Sequence, residues 1–199
     1  MEQDHTDVYR TREWFESLAW QHRWIEFMVG WWVGQYGTPE TVVDFGAGDG
    51  WWPHTFAQIG TKSPHAVELD DIALDFLPAD VHFTQHDLRQ QLEATGITDL
   101  SICLEVAEHM TKREAETGLI PSIAKYSGNL ILFSAAQPGQ PGTGHINLQP
   151  SSYWIEQFER WPKIQFSTER TGATKRAFAN ILPPPYQFLP RNLLVFAHI

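Results

Sequence analysis

Cysteine is nearly absent: Cys103 is the only one in 199 residues. No disulfide can form within the chain, and a cysteine zinc site is excluded. Basic charge is also scarce. The 14 Lys and Arg face 24 Asp and Glu, for a formal net charge of −10. Such a chain repels phosphate backbones, and no Lys/Arg-rich stretch offsets that field. Nucleic acid is therefore a poor partner, and a cationic or neutral ligand is better suited. No apolar run approaches the roughly 20 residues of a membrane span, so no membrane insertion is expected. The start, Met1-Glu-Gln-Asp-His5, is acidic and polar, unlike a signal peptide. These absences predict a cytoplasmic protein and leave its oligomeric state open.

What is present reads as globular: 42% hydrophobic and 19% charged residues. The length suits one α/β domain with a proper core. Nine tryptophans are unusual, and Trp14, Trp20, Trp24, Trp31 and Trp32 crowd the beginning of the chain. They are either core packing or a partly exposed aromatic wall for an acceptor or a partner.

Hydrophobic spacing predicts a helix over 12–35, ended by Gly37-Thr-Pro39. Thr41–Phe45 is a β-branched strand, and Pro53 suits the first turn of a helix running to Ile59. The alternation continues. Strands are expected at His65–Leu69, Val81–Gln85, Leu100–Leu104 and Asn129–Ser134. Helices are expected at Asp71–Phe76, Leu88–Thr95 and Thr111–Tyr126. Cys103 falls in an apolar run and reads as a buried strand residue. Strands separated by helices imply a mostly parallel sheet covered on both faces. The last third differs. Residues 136–150 are rich in Gly, Pro and Gln and long for a loop, which favours function or a lid. Ser151–Trp161 reads as a helix, and Lys163–Glu169 and Asn192–His198 as closing strands. Pro183-Pro-Pro185 and Pro190 mark an insertion between them. The expected layout is one domain: a helical cap (1–40), a ligand-binding core (41–135) and an acceptor-side segment (136–199).

The strongest chemical signal is Asp44-Phe-Gly-Ala-Gly-Asp-Gly50. Gly46, Gly48 and Gly50 after a strand let backbone come close to a ligand, because a Cβ would collide with it or forbid the turn. A phosphate-binding loop needs Gly-Lys-Ser/Thr, but Trp51-Trp52 follows Gly50. The dinucleotide fingerprint needs glycine where Trp51 stands, so a nicotinamide oxidoreductase is disfavoured. A purely structural glycine turn stays open.

The pattern acidic-x-Gly-x-Gly-x-Gly resembles the first motif of class I S-adenosylmethionine (SAM)-dependent methyltransferases, and later segments extend the resemblance across 41–134. Ala66-Val-Glu68-Leu-Asp70 places an acid where that family grips both ribose hydroxyls. A carboxylate suits a vicinal diol because it offers two adjacent acceptor oxygens. Asp70 is the fallback, and either acid could instead cap the next helix. Gln85-His-Asp87-Leu88 matches the place of the Asp near the adenine amino group. Asp99-Leu-Ser-Ile-Cys-Leu-Glu-Val-Ala-Glu-His109 resembles the family segment after the fourth strand, with Leu104 and Glu105 beside the methionine part. The resemblance implies a Rossmann-like three-layer α/β sandwich, a seven-stranded mostly parallel sheet whose last strand is antiparallel. It implies S-adenosyl-L-methionine as cofactor, held by Asp44, Gly46, Ala47, Gly48, Gly50, Glu68, Leu69, Asp87, Leu88, Leu104 and Glu105.

Methyl transfer asks the protein to align an acceptor and manage one proton. His145, His109 and Glu108 are the candidates. His145 lies in Gly139-Gln-Pro-Gly-Thr-Gly-His-Ile-Asn147, directly after the fifth strand; it either serves the acceptor or ties the loop to itself. Glu108-His109 either does chemistry or organises the loop after the fourth strand. Asp49 and Trp51 could touch cofactor or substrate. No metal is expected: His82 and His86 stand about 13 Å apart along a strand, and His54 and His65 lack partners. The expected function is methylation of a small-molecule acceptor, most simply at a hydroxyl. The rival is an inactive methyltransferase-like module that docks a partner through the Trp-rich helix.

Overall fold

The computed structural model describes residues 11–93 and 96–199. Seven strands form one sheet in the order β3-β2-β1-β4-β5-β7-β6. They are β1 (Thr41–Phe45), β2 (Ser63–Glu68), β3 (His82–Gln85), β4 (Thr98–Leu104), β5 (Ser127–Ser134), β6 (Ile164–Phe166) and β7 (Leu194–His198). The first five pair in parallel, and β7 runs antiparallel to both β5 and β6. The sheet is the seven-stranded, mostly parallel one expected, with the last strand reversed.

Helices cover both faces: α1 (Arg12–Ser17), α2 (His22–Tyr36), α3 (Trp51–Gln58), α4 (Lys112–Glu114), α5 (Ile120–Tyr126), α6 (Ser151–Glu159), α7 (Thr168–Ile181) and α8 (Phe188–Asn192). Successive strand residues point to opposite faces, so each central strand feeds two cores. Val43, Cys103, Ile131, Phe133 and Phe196 pack against Ile120 and Ile123 of α5 and Trp154 and Phe158 of α6. Val42, Ile102, Leu130, Leu132 and Val195 pack against Ile25, Met28 and Trp32 of α2, Phe56 of α3 and Phe178 of α7. Cys103 is fully buried, as its apolar run suggested.

Three expectations are corrected. The helix over 12–35 is interrupted by a 3-10 turn at Leu18–Gln21, which divides α1 from α2. No helix forms over 88–93; the remaining residues of that expected helix, 94–95, lie outside the described residues. Here Asp87 accepts the Arg89 backbone N–H (3.0 Å), and the Leu92 N–H is taken by Ser122 Oγ (2.8 Å). Side chains thus satisfy backbone groups that a helix would have used. The segment also lies directly on Gly118, where a Cβ would sit 2.4 Å from the Arg89 carbonyl. The closing strand expected at Lys163–Glu169 stops at Phe166, because Ser167 accepts from the Arg170 N–H and starts α7.

Candidate active site

Strand order reverses between β1 and β4, and the carboxyl ends of β1 to β4 open there into one cavity of about 970 Å³. This is at the upper end of the range for small-molecule sites, roughly 300–1,000 Å³. Asp44, Gly46, Ala47, Gly48, Glu68, Leu69, Asp87, Leu88, Leu104 and Glu105 all line it. Gly50 does not. It sits in the left-handed region (φ 73°) at the start of α3, and a Cβ there would meet Leu77 at 2.4 Å. Its glycine serves the turn and the packing rather than the cavity.

The loop after β1 is pinned to β2: the Gly46 and Ala47 N–H groups both donate to the Val67 carbonyl, at 2.8 and 3.2 Å. Gly48 is also left-handed (φ 56°), and its N–H donates to Glu68 Oε2 at 3.0 Å. The other oxygen of Glu68 accepts the Leu69 N–H at 2.7 Å. The Asp70 N–H is a third backbone donor to the same carboxylate. Burial raises the Glu68 pKa, against the lowering effect of these hydrogen bonds. Asp70 is spent elsewhere, accepting from Ile72 N–H at the start of the Asp71–Asp75 turn. Glu68 lines the cavity, whereas Asp70 caps the turn. Asp87 is partly committed too. Burial raises its pKa, but the hydrogen bonds from Arg89 outweigh this and hold it low.

At the other end of the cavity, Glu105 sits at φ 56°, the one non-glycine residue with positive φ among those described. Such strain collects at functional sites. Its carboxylate accepts from Asn192 Nδ2 at 3.0 and 3.1 Å and from Gln140 Nε2 at 3.3 Å. Glu108 is fully buried, and its Oε1 accepts the Ala136 N–H at 3.1 Å. Burial and then the charge of Glu105 push its carboxyl well above the usual range. The backbone carbonyl of Glu108 accepts from the Ile146 and Asn147 N–H groups (2.9 and 3.1 Å). Glu108-His109 therefore does organise the loops, and in doing so places His145 beside His109, ring centroids 5.0 Å apart. Burial and then His145 lower the His109 pKa to about 4, so its imidazole is neutral at neutral pH.

The tryptophans divide between the two roles the sequence left open. Trp32 is core, whereas Trp14, Trp20 and Trp24 wall the cavity. Trp20 stacks on Tyr186 of the Pro-rich insertion, centroids 3.7 Å apart. Asp49 and Trp51 do not line the cavity. Asp49 pairs with His22 of α2 at 2.5 Å, and Trp51 stacks flat on the same imidazole at 3.7 Å. Asn192, Gln140 and Tyr186 escaped the sequence reading. Asn192 and Tyr186 lie far along the chain in no motif, and Gln140 drew notice only as part of the loop around His145.

No family model matches the sequence, and no curated protein matches it. Solved structures do match. An amino pentose methyltransferase from Micromonospora echinaspora with bound SAM has a TM-score of 0.66 at 11% identity, covering 92% of this chain and 96% of that one. The plantazolicin methyltransferase, in complex with S-adenosylhomocysteine (SAH) and a substrate analogue, has a TM-score of 0.63 at 13% identity, covering 98% and 94%. Magnesium protoporphyrin IX methyltransferase from Synechocystis PCC 6803 with bound SAH has a TM-score of 0.62 at 18% identity, covering 90% and 84%. In sheet order, reversed β7 and glycine loop, this chain has the fold of the class I SAM-dependent methyltransferases.

Proposed function

We propose that the chain is a SAM-dependent methyltransferase, one domain with one site, acting on a small-molecule acceptor through a hydroxyl. The observation that carries this reading is the pairing of Glu68 with the left-handed Gly48 on the wall of the large cavity. A carboxylate on that wall offers two adjacent acceptor oxygens, which match a vicinal diol. Gly46, Ala47 and Gly48 give backbone without side chain beside it, and Asp87, Leu88, Leu104 and Glu105 extend the same wall. The structural relatives' bound SAM and SAH support the same cofactor here.

When bound, SAM supplies a methyl carbon made electrophilic by its sulfonium. This chain's residues bind and orient. The Trp14, Trp20 and Trp24 wall narrows the cavity and excludes water, which strengthens electrostatic interactions inside. Asp44, Glu68 and Glu105 bring acidic groups to the cavity, suited to a cation. Glu108, His109 and His145 form the polar cluster at the acceptor end and manage the acceptor's proton.

The test is incubation with methyl-labelled SAM and fractionated metabolites, together with calorimetric SAM titration. A labelled small molecule and an equal amount of SAH are expected. Gly48→Trp should abolish SAM binding, and His145→Ala should leave SAM affinity within about twofold while slowing turnover. SAM affinity unchanged in Gly48→Trp would refute the placement of the pocket.

A further inference from the structure

The cluster at the acceptor end contains an arrangement that proton transfer alone does not require. One ligand atom from each of Glu108, His109 and His145 lies within 4.8 Å of the other two. Glu108 is fully buried, and while Oε1 accepts from Ala136, Oε2 has no hydrogen-bond partner. A buried carboxylate oxygen without a partner is costly and calls for a proton or a cation. Glu105 adds a second acidic group nearby, and no salt bridge reaches either acid among the described residues.

The imidazoles carry the argument further. His109 Nδ1 lies 3.3 Å from the Gly144 carbonyl, and His145 Nδ1 lies 3.4 Å from the Gln140 carbonyl. A carbonyl can only accept, so each ring donates from Nδ1, and in the neutral His109 the lone pair then falls on Nε2. A backbone carbonyl behind the ring is the usual outer support of a histidine that ligates metal. The support is rigid. Ile146 and Asn147 bind the Glu108 carbonyl, and Asn147 Nδ2 donates to the Ala107 carbonyl at 3.2 Å. Gly142 makes room for the ring, since a Cβ there would fall 2.1 Å from His145 Cε1.

We propose that Glu108, His109 and His145 bind one divalent transition-metal ion of the zinc class, with open positions facing the cavity. Two imidazoles and one carboxylate are ligands of that class, and a catalytic ion keeps a position free for substrate. Around an ion with bonds of about 2.1 Å, donors stand roughly 3.4 Å apart. The three groups must therefore close by at most about 1.4 Å. The ion's role rests on the methyltransferase reading, whereas its binding does not. It holds the acceptor's hydroxyl oxygen and lowers its pKa, so that the O–H proton passes to water and the oxygen keeps its electron pair. This departs from the sequence expectation of no metal, which weighed only His82 with His86 and His54 with His65.

The full chain, freed of metal by a chelator, is titrated with Co²⁺ alone and followed by visible absorption. One ion per chain is expected, with the bands of four- or five-coordinate cobalt, abolished by added Zn²⁺. Glu108→Gln and His145→Ala should each weaken Co²⁺ binding at least tenfold, with near-ultraviolet circular dichroism like that of the native chain. Absence of bands at stoichiometric cobalt, or equal affinity in both variants, overturns the site. SAM titrations on the same samples separate the two readings. Cobalt binding without SAM binding keeps the ion and defeats the methyltransferase, and SAM binding without cobalt binding does the reverse.

Discussion

Half-buried Glu68 and fully buried Glu108 both have raised pKa, yet they are built for different partners. Glu68 has both oxygens engaged by backbone N–H groups, which keeps it aimed at the cavity wall. Its replacement by Ala should cost roughly 1.5–3 kcal/mol of SAM affinity, the worth of hydrogen bonds to a charged acceptor. Calorimetry decides this, and an unchanged Kd would show that Glu68 grips no ribose. Glu108 has one oxygen outside any hydrogen bond and the acid Glu105 beside it, and burial with that neighbouring charge makes its carboxyl keep a proton to higher pH than an ordinary glutamate in the metal-free fold. The unfolded chain releases that proton near the ordinary glutamate value of 4.5, and the folded chain releases it only well above. The folded state then binds more protons, and this residue's contribution to stability falls as pH rises above 4.5. Glu108→Gln removes the titration and keeps an acceptor for the Ala136 N–H. Its stability relative to the chelated native chain should therefore grow with pH, by at most about 1.4 kcal/mol per pH unit. Urea unfolding at several pH values reads the difference, and parallel curves would mean that Glu108 is ionised in the fold.

Elements differ in how plainly the sequence announces them. The buried runs of β1, β4 and β5 were legible because a strand covered on both faces is mostly apolar. The glycine loop was legible because turn geometry restricts residue type, and Glu68 because the family resemblance points to the end of β2. α7 was not, since two of its three buried residues are Thr171 and Thr174, which look like surface residues in a helical pattern. They are buried because Thr171 Oγ1 accepts the β7 Val195 N–H at 2.9 Å, and Thr174 Oγ1 donates to the Arg170 carbonyl at 2.8 Å. The segment over 88–93 misled in the opposite direction, its helical pattern losing to local side-chain hydrogen bonds. α2 is tied to the glycine loop by one device that no motif signals, the His22–Asp49 pair under Trp51. His22→Ala leaves the buried Asp49 short of a partner and should cost about 1–3 kcal/mol of stability. It should also make residues 11–21 cleave faster in limited proteolysis, and native-like cleavage would show that the cap is held elsewhere.

At the scale of the whole molecule, the cavity is assembled from parts of unequal origin. The strand ends of the core supply the wall proposed for the cofactor, whereas α1, α2 and the segment after β5 supply most of the rest. These two outer parts meet across the opening, where half-exposed Trp20 stacks on Tyr186. Among the described residues, neither one hydrogen-bonds or stacks on the glycine loop or Glu68, so under the proposed function the contact is assigned to the acceptor side. An aromatic pair of this kind is worth about 0.5–1.5 kcal/mol beyond its buried area. Tyr186→Ala should therefore raise the KM for the acceptor roughly 2–10-fold and leave the SAM Kd within about twofold. A docking surface for a partner protein makes a different forecast: Trp20 would matter for complex formation and Tyr186→Ala would leave acceptor kinetics alone. Steady-state kinetics with the identified acceptor, alongside SAM calorimetry on the same variant, distinguishes them. A large loss of SAM affinity in Tyr186→Ala would show that the mouth and the cofactor wall are one mechanical unit, contrary to the division drawn here.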